Sequence, residues 1–512
     1  MPTQNSTSRR VDWFALALTA LFAAWVLFVC FHHEVWRDEA DVWLAARDMR
    51  PLDLLHWLGG AGTPGLWYFL LMPLAKLGLP VMSMILLHAA IAIAVAGIIA
   101  FRAPFPPIIR ALLVFSYYFS CEYAVVARSY ALTALLLLLV AVVWTSKVKR
   151  WWLLGLLLFL LCNTNVHGFM IAGAIGVAVV IELIQRRELT RSAMIGAGIA
   201  LAGAAIAIVQ LLPPPHAIAP QPEHRWPVIR YSACEALLPH VPHYPRDPRL
   251  HRLGRLAPIW STALAWAAML VLAGVCWSVS RCRPAIVILG LAWLALIYVF
   301  VFKWYAGERH AGLLLLLIVF VLWISKFDWS LSGSASDPLP ARVIHGFTAI
   351  ALIISLCISC LIAIAWSWRE VNWDFSGSKE AAAFIRSQPE LKSMPIATGA
   401  GLMYESLLPY LPGQSLWYSG RQTFGTYTDW NRDWRSDNLL SQRQVLDRVQ
   451  KQFPDGGNLL LVAETPLSHP ESAGYRLLFH NSHRIFEHDE ENFYLYLRPS
   501  SASNGNASKA VR

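Results

Sequence analysis

Charged side chains are scarce in this chain of 512 residues: Asp, Glu, Lys and Arg make up 14% of it, whereas 56% of the residues are hydrophobic. This composition excludes a soluble globular protein for most of the length and predicts a polytopic α-helical membrane protein. The net charge is +10, but the basic residues form no continuous stripe of the kind that binds nucleic acid. We therefore expect no nucleic-acid partner.

The chain has few cysteines, and their positions do not suit a set of disulfide bonds. Most of the eight cysteines lie inside or at the ends of apolar runs, and none follows residue 366. The sequence therefore predicts no disulfide framework. The first apolar run also lacks a small-x-small cleavage site and continues to Phe31, which favours a retained membrane span over a cleavable signal peptide.

Long apolar runs, in contrast, are abundant. Eleven of them approach the roughly 20 residues that span a bilayer, and they cover residues 13–31, 81–101, 107–121, 123–145, 151–163, 167–185, 193–212, 258–280, 284–302, 310–325 and 343–366. Lys and Arg concentrate in alternate short loops, from Arg9 and Arg10 to Lys326 and Arg342. Because positive charge is retained on the cytoplasmic side, we predict about 11 spans with a cytoplasmic N-terminus.

This topology divides a transmembrane domain, residues 1–366, into spans and outer segments. The first outer loop is predicted at 32–63 and a second long one at 213–257. Residues 64–79 are apolar but short, carry Lys76 and would break the alternation of loop charge if they crossed. We therefore predict a re-entrant or juxtamembrane helix there.

After residue 366 the composition changes, and the topology places everything that follows outside the cytoplasm. Gly, Ser, Asp and Asn appear, and short apolar runs at 395–398 and 458–463 alternate with helical patterns at 379–388 and 439–452. Residues 476–486 and 493–497 predict a closing pair of strands. We predict a small extracytoplasmic α/β domain over residues 367–499 and a disordered tail over 500–512.

A dense charged cluster follows the first span directly: His32-His33-Glu34-Val35-Trp36-Arg37-Asp38-Glu39-Ala40-Asp41. It holds four carboxylates within eight residues. Ionisable groups at the edge of hydrocarbon are costly to desolvate, so they tend to face a water-filled cavity and mark a substrate pathway. The alternative is that Asp38 and Glu39 only pair with Arg37 or Arg47 in a solvated interfacial helix.

Further polar residues collect at the outward ends of later spans. They are Glu122, Tyr123, Arg128 and Tyr130; Asn163, Asn165 and His167; and Lys303, Tyr305, Glu308, Arg309 and His310. Arg and Lys at the membrane surface, together with Tyr and His, provide the charge and forked hydrogen bonding that bind the phosphate of a lipid. Snorkelling of long cationic side chains to the interface is the alternative explanation.

These residues together resemble a known family. The Asp38-Glu39 pair just outside the first span, Pro64-Gly65-Leu66-Trp67-Tyr68, Ala127-Arg128-Ser129-Tyr130, Asn165-Val166-His167-Gly168 and Glu308-Arg309-His310 are similar to motifs of the GT-C glycosyltransferases. The nearest likeness is to the bacterial branch related to protein O-mannosyltransferases and lipid A aminoarabinose transferases, over roughly residues 10–326.

The resemblance implies a multi-pass enzyme of the bacterial plasma (inner) membrane. Such an enzyme takes a sugar from a polyprenyl-phosphate donor and transfers it, with inversion, to a lipid, glycan or protein acceptor on the outer face. By that match Asp38 is the catalytic base and Glu39 the runner-up. The remaining candidates would bind the lipid phosphate and sugar: Arg37, Arg128, Tyr130, His167, Lys303, Arg309 and His310.

One position departs from the family pattern. Where relatives often have a histidine before the Pro of the aromatic segment, this chain has Thr63. Two explanations stay open. Either the donor or acceptor of this protein differs from that of the relatives, or His56, seven residues earlier, takes the place of that histidine.

Cofactors are not required by the expected chemistry, because cationic side chains can neutralise a departing phosphate. The outer loop does contain His240 and His243 at a spacing that suits two metal ligands, but Pro242 lies between them and no second ligand pair is obvious. A divalent metal therefore stays an open alternative. Two other functions also stay open: a secondary transporter, and a non-catalytic binder of polyprenyl-phosphate lipids.

Overall fold

The structure of the protein is a computed structural model, and it describes residues 11–148, 150–213, 226–239, 257–303, 307–331, 338–401, 403–428, 430, 440–454, 457–487 and 489–499. Most of the second long outer loop, including His240 and His243, and the predicted tail lie outside these residues.

Fifteen α-helices lie in the described part of residues 11–372. In chain order they are α1 Trp13–Cys30, α2 Arg37–Asp48, α3 Pro51–Ala61, α4 Leu66–Lys76, α5 Met82–Arg102, α6 Pro107–Val114, α7 Tyr130–Thr145, α8 Trp151–Cys162, α9 Val166–Arg186, α10 Arg191–Leu211, α11 Val228–Leu237, α12 Ala257–Val279, α13 Arg283–Phe302, α14 Glu308–Ser325 and α15 Leu339–Asn372.

Eight of the described helices are long and apolar enough to cross a membrane: α1, α5, α9, α10, α12, α13, α14 and α15. Three further apolar helices, α4, α7 and α8, are shorter. The chain is therefore a polytopic helical membrane protein, as predicted. The helix α15 is 34 residues long, or about 51 Å, so it extends well beyond the hydrocarbon layer; the boundary predicted at 366/367 falls inside it.

Two predicted spans are interrupted where the sequence turns polar. The predicted span 107–121 is helical only to Val114 and is followed by a π-helical turn at Tyr118–Glu122. The predicted span 123–145 is helical only from Tyr130. Non-helical backbone at membrane depth must find partners inside the protein. The two ring nitrogens of His88 lie 3.2 and 3.1 Å from the carbonyl oxygens of Ala124 and Arg128, and its N–H can donate to one of them.

The helices α8 and α10 pack unusually closely because glycines line their contact. A Cβ on Gly155 would lie 2.1 Å from the carbonyl oxygen of Gly196, which leaves no room for a side chain. Polar groups join the same pair, since Gln210 donates to Asn163 Oδ1 at 3.2 Å and accepts from the Gly65 amide at 2.7 Å. This pair of helices therefore anchors the start of α4.

The short helices α2, α3 and α4 occupy the first outer loop and the segment after it. The helix α4 packs against α2. With 11 residues it reaches about 16 Å, too little to cross a bilayer of about 30 Å. The re-entrant or juxtamembrane location of this helix stays a prediction.

The chain after α15 folds around a six-stranded mixed sheet with strand order β3-β2-β1-β4-β6-β5. The strands are β1 Ile396–Thr398, β2 Leu416–Tyr418, β3 Thr423–Gly425, β4 Leu459–Ala463, β5 Arg476–His480 and β6 Tyr494–Arg498; the helices are α16 Ser378–Ser387 and α17 Gln442–Gln452. The strand β1 is parallel to β2 and β4, and the antiparallel pair β5–β6 confirms the predicted closing strands.

The two faces of this sheet belong to different hydrophobic cores. Leu459 and Leu461 of β4 pack with Val445 and Val449 of α17. Leu460, from the opposite face of the same strand, belongs to a core that is continuous with the membrane helices. Alternate side chains of a strand point to opposite faces, so one face of the sheet is packed onto the membrane domain.

Candidate functional site

The charged cluster after the first span forms the start of helix α2, and Asp38 is its second residue. Three guanidinium groups surround the Asp38 carboxylate. Oδ1 lies 2.8 Å from Arg37 Nη1, and Oδ2 lies 2.9 Å from Arg128 Nη1 and 3.5 Å from Arg309 Nη1. We call Asp38, Arg37, Arg128, Arg309 and Glu122 the arginine cluster. It brings Asp38 together with Arg309, which follows it by 271 residues.

Arg128 reaches Asp38 because the chain between the π-helical turn and α7 is not helical. Its guanidinium bonds the carboxylate and also donates to the backbone oxygen of Asp38 at 2.8 Å. The following residue, Ser129, is held through its hydroxyl by Asn165 Nδ2 at 3.2 Å, and Asn165 also caps α9 by accepting from the Gly168 amide. The motif Asn-x-His-Gly therefore fixes the segment that presents Arg128.

Arg309 enters the cluster from the start of α14. Its Nε lies 3.5 Å from Glu122 Oε1, and its guanidinium lies 4.7 Å from the ring centroid of Trp36, a cation–π contact. The Tyr123 hydroxyl donates to the Arg309 backbone oxygen at 2.6 Å. Arg309 thus connects the π-helical turn, α2 and α14.

The arginine cluster is partly open to solvent. The side chains of Asp38, Arg128 and Arg309 are between 21% and 24% exposed. Guanidinium groups that are close together and incompletely buried can bind a phosphate through two parallel hydrogen bonds. The arrangement therefore combines a carboxylate that can accept a proton with cations that can hold an anion.

Glu39, the residue after Asp38, lies in a different environment. It is completely buried, its Oε1 accepts from the Ala127 amide, and its Oε2 accepts from the Trp36 amide and pairs with His33 Nε2 at 2.9 Å. His33 Nδ1 in turn lies 2.6 Å from Glu370 Oε1, near the end of α15. We call Glu39, His33 and Glu370 the buried carboxylate chain.

Electrostatics favour the charged forms of His33 and Glu39. Burial disfavours the charged imidazole of His33, but the two flanking carboxylates outweigh burial and hold the pKa of His33 well above its usual value. Burial raises the pKa of Glu39, but His33 and the two backbone amides outweigh it, so that this pKa is lowered. Both oxygens of Glu39 are engaged, and this geometry favours a role in holding the backbone over a role as a base.

Three more predicted residues form an aromatic group beside Arg309. The rings of His167 and His310 stack at 4.9 Å, and Tyr130 contacts His310 edge-on at 5.9 Å. Tyr123 stacks on Tyr130 at 5.7 Å. Among the described residues, the buried Nε2 of His167 has no hydrogen-bond partner. These rings form a surface with polar edges next to the cations.

Lys303 is not brought into this arrangement. It is exposed at the end of α13, with its amine 6.0 Å from the ring of Tyr298. Among the described residues it forms no ion pair with Asp38. His56, the alternative for the missing family histidine, is also exposed, and its Nδ1 bonds the Leu52 carbonyl oxygen of its own helix.

The soluble domain supplies residues to the site that the local sequence pattern did not indicate. The Arg37 amide donates to Glu491 at 2.6 Å, and Asp41 accepts from the Thr428 amide at 3.1 Å. Burial raises the pKa of Asp41 to about 6, although Arg37 opposes this effect. The sequence contained no pattern that paired Arg37 with Glu491 or Asp41 with Thr428, because the residues of each pair are more than 380 positions apart.

One group of described side chains has ligand atoms close enough to bind a metal ion. Asp374, Glu380 and His483 place one such atom each within 4.8 Å of one another. Both carboxylate oxygens of Glu380 already accept hydrogen bonds from Asn481 or Ser482. These three residues lie outside the arginine cluster, in which the arginines outnumber the carboxylates.

Comparisons with known proteins give a structural likeness only. No protein-family profile and no curated protein matches the sequence. Two crystal structures of ArnT from Cupriavidus metallidurans, one bound to undecaprenyl phosphate and one in the apo state, match at a TM-score of 0.50 and 12% identity, over 95% of this chain and 99% of that chain. The arabinofuranosyltransferase AftD from Mycobacteria matches at a TM-score of 0.40 and 15% identity, over 95% of this chain and 42% of that chain. The likeness to ArnT shows a shared fold and confirms the GT-C-like architecture predicted from the sequence.

Proposed function

We propose that this multi-pass membrane protein is a glycosyltransferase that takes a sugar from a polyprenyl-phosphate donor and transfers it to a lipid, glycan or protein acceptor. The observation that carries the proposal is the convergence of Arg128 and Arg309 on the Asp38 carboxylate, at 2.9 and 3.5 Å. The fold shared with ArnT, a protein whose structure was determined with undecaprenyl phosphate bound, supports the choice of lipid.

Asp38 is the proposed base. It accepts the proton of the acceptor hydroxyl while that oxygen attacks the anomeric carbon of the donor sugar. The bond between this carbon and the phosphate oxygen breaks, and its electron pair stays on the departing polyprenyl phosphate. Arg128 and Arg309 stabilise the negative charge that develops there. A single direct displacement of this kind inverts the configuration at the anomeric carbon. No metal is needed in this scheme, because the guanidinium groups supply the positive charge.

Arrival of the donor would also free the base. In the structure Oδ2 of Asp38 bonds the same guanidinium groups that a phosphate would attract. A donor phosphate that takes over Arg128 and Arg309 removes two cations from the carboxylate. Loss of these partners makes Asp38 more basic, so that binding of donor prepares the proton acceptor.

The ring surface of Tyr123, Tyr130, His167 and His310 is the proposed contact for the donor headgroup. His310 follows Arg309 in sequence, and the Tyr123 hydroxyl donates to the Arg309 backbone oxygen. Rings with polar edges suit a sugar face or the first isoprene unit. Glu122 is proposed to hold Arg309 in place, through the 3.5 Å contact with its Nε.

The proposed location is the bacterial plasma (inner) membrane, with the N-terminus in the cytoplasm and the arginine cluster and soluble domain on the outer face. The distribution of Lys and Arg among the short loops supports this orientation. The hydrogen bond between the Arg37 amide and Glu491 independently supports a common side for the cluster and the domain.

The decisive experiment uses purified protein in lipid nanodiscs with radiolabelled undecaprenyl-phosphate-linked pentoses and hexoses, and membranes of the native host as acceptor. We expect wild-type protein to release undecaprenyl phosphate and transfer label, and Asp38→Asn to lose about 10³-fold in kcat. Asp48→Asn is the matched control, because Asp48 lies at the other end of α2 and pairs with Arg47 at 2.7 Å.

The labelled product would identify the acceptor. If wild-type protein binds the lipid-linked sugars but consumes none of them, the glycosyltransferase proposal is wrong, and a non-catalytic binder or a transporter replaces it. Transport of labelled lipid between the two leaflets of a sealed vesicle then separates these two alternatives.

A further inference from the structure

One backbone amide in the first turn of α2 is bonded from outside the helix. The backbone amides at a helix start lack partners within the helix and are usually bonded by the side chain of the preceding residue. That residue is Trp36, which makes no such bond. The Arg37 amide instead donates to Glu491 Oε1 at 2.6 Å, from a residue 454 positions away in the soluble domain.

Glu491 is held rigidly for this contact. It is completely buried, and its Oε2 accepts from the hydroxyl of Ser376. Its backbone oxygen accepts from the Gly377 amide at 3.1 Å. A Cβ on Gly377 would lie 2.5 Å from that same oxygen, so only glycine allows this approach. Both the side chain and the backbone of Glu491 are therefore fixed by the segment that follows α15.

The burial of Glu491 is offset by hydrogen bonds. Burial of a carboxyl group is costly unless it is paired or hydrogen-bonded, and among the described residues no Lys or Arg forms an ion pair with Glu491. Its side chain accepts hydrogen bonds from Ser376, in the segment that follows α15, and from the residue before Asp38. The second of these contacts joins the domain to the site.

From this geometry we infer that Glu491 is a positioning residue for Asp38, and that the soluble domain orients the base by capping the first turn of α2. The inference rests on the proposed function, since it assigns Asp38 its role. Loss of the cap would let the first turn fray, and the Asp38 carboxylate would then lose its alignment with Arg128 and Arg309. The reaction should slow while the cations that bind the donor stay in place.

The test compares Glu491→Ala with Glu491→Gln in the full-length protein. We expect Glu491→Ala to lower kcat about 10- to 100-fold, with KM for the donor changed less than about threefold. Glu491→Gln keeps an oxygen that can accept from the Arg37 amide, and we expect it to stay within about threefold of wild type. Burial raises the pKa of Glu491 to about 8, so the amide resembles the protonated form that predominates at neutral pH. Glu471→Gln, on an exposed turn, is the control.

Hydrogen–deuterium exchange gives a readout that does not depend on activity. Peptides that cover residues 37–44 should exchange at least tenfold faster in Glu491→Ala than in wild type or Glu491→Gln, whereas peptides from α5 and α9 should not change. If no variant, including wild type, transfers sugar, the proposed function fails but the exchange experiment still tests the cap. Unchanged kcat, or unchanged exchange over 37–44, in correctly folded Glu491→Ala would overturn the inference.

A second pair of variants covers the case in which Glu491→Ala does not fold. Proline is tolerated at the first position of a helix but has no amide hydrogen. Arg37→Pro and Arg37→Ala both remove the guanidinium, and only the first removes the donor to Glu491. We expect kcat of Arg37→Pro to be about tenfold below that of Arg37→Ala; equal values would contradict the positioning role.

Discussion

Asp38 and Glu39 are neighbours in one helical turn, but they lie in opposite surroundings. The Asp38 side chain is 24% exposed and is bound by guanidinium groups of other side chains, whereas Glu39 is completely buried and bound by two backbone amides and His33. A carboxylate that is partly exposed and bound by side chains is better placed to exchange its partners for substrate than one that is fixed to the backbone. The two carboxylates therefore differ in environment and not in residue class or position in the chain, and this difference is the reason for proposing Asp38, and not Glu39, as the base.

The most direct test of the difference between Asp38 and Glu39 removes the charge of each carboxylate in turn. We expect Asp38→Asn to lose about 10³-fold in kcat and to keep a near wild-type melting temperature. Glu39→Gln should lower the melting temperature and leave most of the activity, because it leaves His33 buried beside an uncharged partner. A loss of about 3 kcal/mol, or about 5 °C in melting temperature, is expected, with activity per folded molecule within tenfold of wild type. Fluorescence-detected size exclusion after heating, combined with the transfer assay, measures both quantities.

The matched variant for this pair is His33→Ala, which cuts the buried carboxylate chain at its centre. It should reproduce the stability loss of Glu39→Gln and not the activity loss of Asp38→Asn. If Glu39→Gln instead abolished catalysis in fully folded protein, the division of roles between the two residues would be wrong, and Glu39 would be the better base.

Stability should also depend on pH in a direction that the buried groups determine. Burial raises the pKa of Asp41 to about 6 and that of Glu491 to about 8, so the folded protein retains protons that the unfolded chain releases above about pH 4.5. His33, whose pKa is also raised, acts in the same direction above pH 6.5. The free energy of unfolding should therefore fall as pH rises from 5 to 9, by roughly 4 kcal/mol from Glu491.

Glu491→Gln provides the control for this pH effect, because the amide does not titrate. Its melting temperature should decline less steeply between pH 6 and pH 9 than that of wild type. A wild-type stability that rises over this range would show that the carboxylates are ionised in the folded state and would contradict the pKa shifts assigned to burial.

Much of this architecture could be predicted from the sequence, because membrane spans and amphipathic strands are local patterns. The charged run at 32–41 and the Arg-Ser-Tyr segment stood out against apolar surroundings, and the structure brings Asp38, Arg128 and Arg309 together. The resemblance to GT-C proteins supplied the expected fold. Each of these predictions depended on residues that are close in the chain or match a motif.

The rest could not be predicted, because it depends on contacts between distant segments. Nothing near Glu39 in the sequence indicates that His33 links it to Glu370 on α15, or that Glu491 would cap the helix of Asp38. The predicted span that starts at residue 123 also begins seven residues late, at Tyr130. Apolar composition there suggested a helix, but His88 and Glu39 bond the backbone of residues 124–128 and keep it irregular.

A smaller effect is expected when one of the guanidinium partners of Asp38 is replaced by another cation. Arg309→Lys keeps the charge but loses the planar fork that reaches Asp38 and Glu122 and stacks on Trp36. We expect kcat/KM for the donor to fall about 10- to 30-fold, mostly through KM. Arg47→Lys is the control, since Arg47 pairs with Asp48 at the far end of α2. A fall in kcat alone would instead mean that Arg309 acts only in the transition state.

The smallest effect is expected at Lys303, a predicted cationic ligand of the phosphate that lies outside the arginine cluster. It is exposed at the end of α13 beside Tyr298, so Lys303→Ala should change kcat and KM by less than about twofold, which radiolabelled transfer can resolve. Arg128→Ala under the same conditions should lose about 100-fold, because its guanidinium holds Asp38 directly. A tenfold loss for Lys303→Ala would mean that α13 moves toward Asp38 when donor binds, and that three cations, not two, neutralise the departing phosphate.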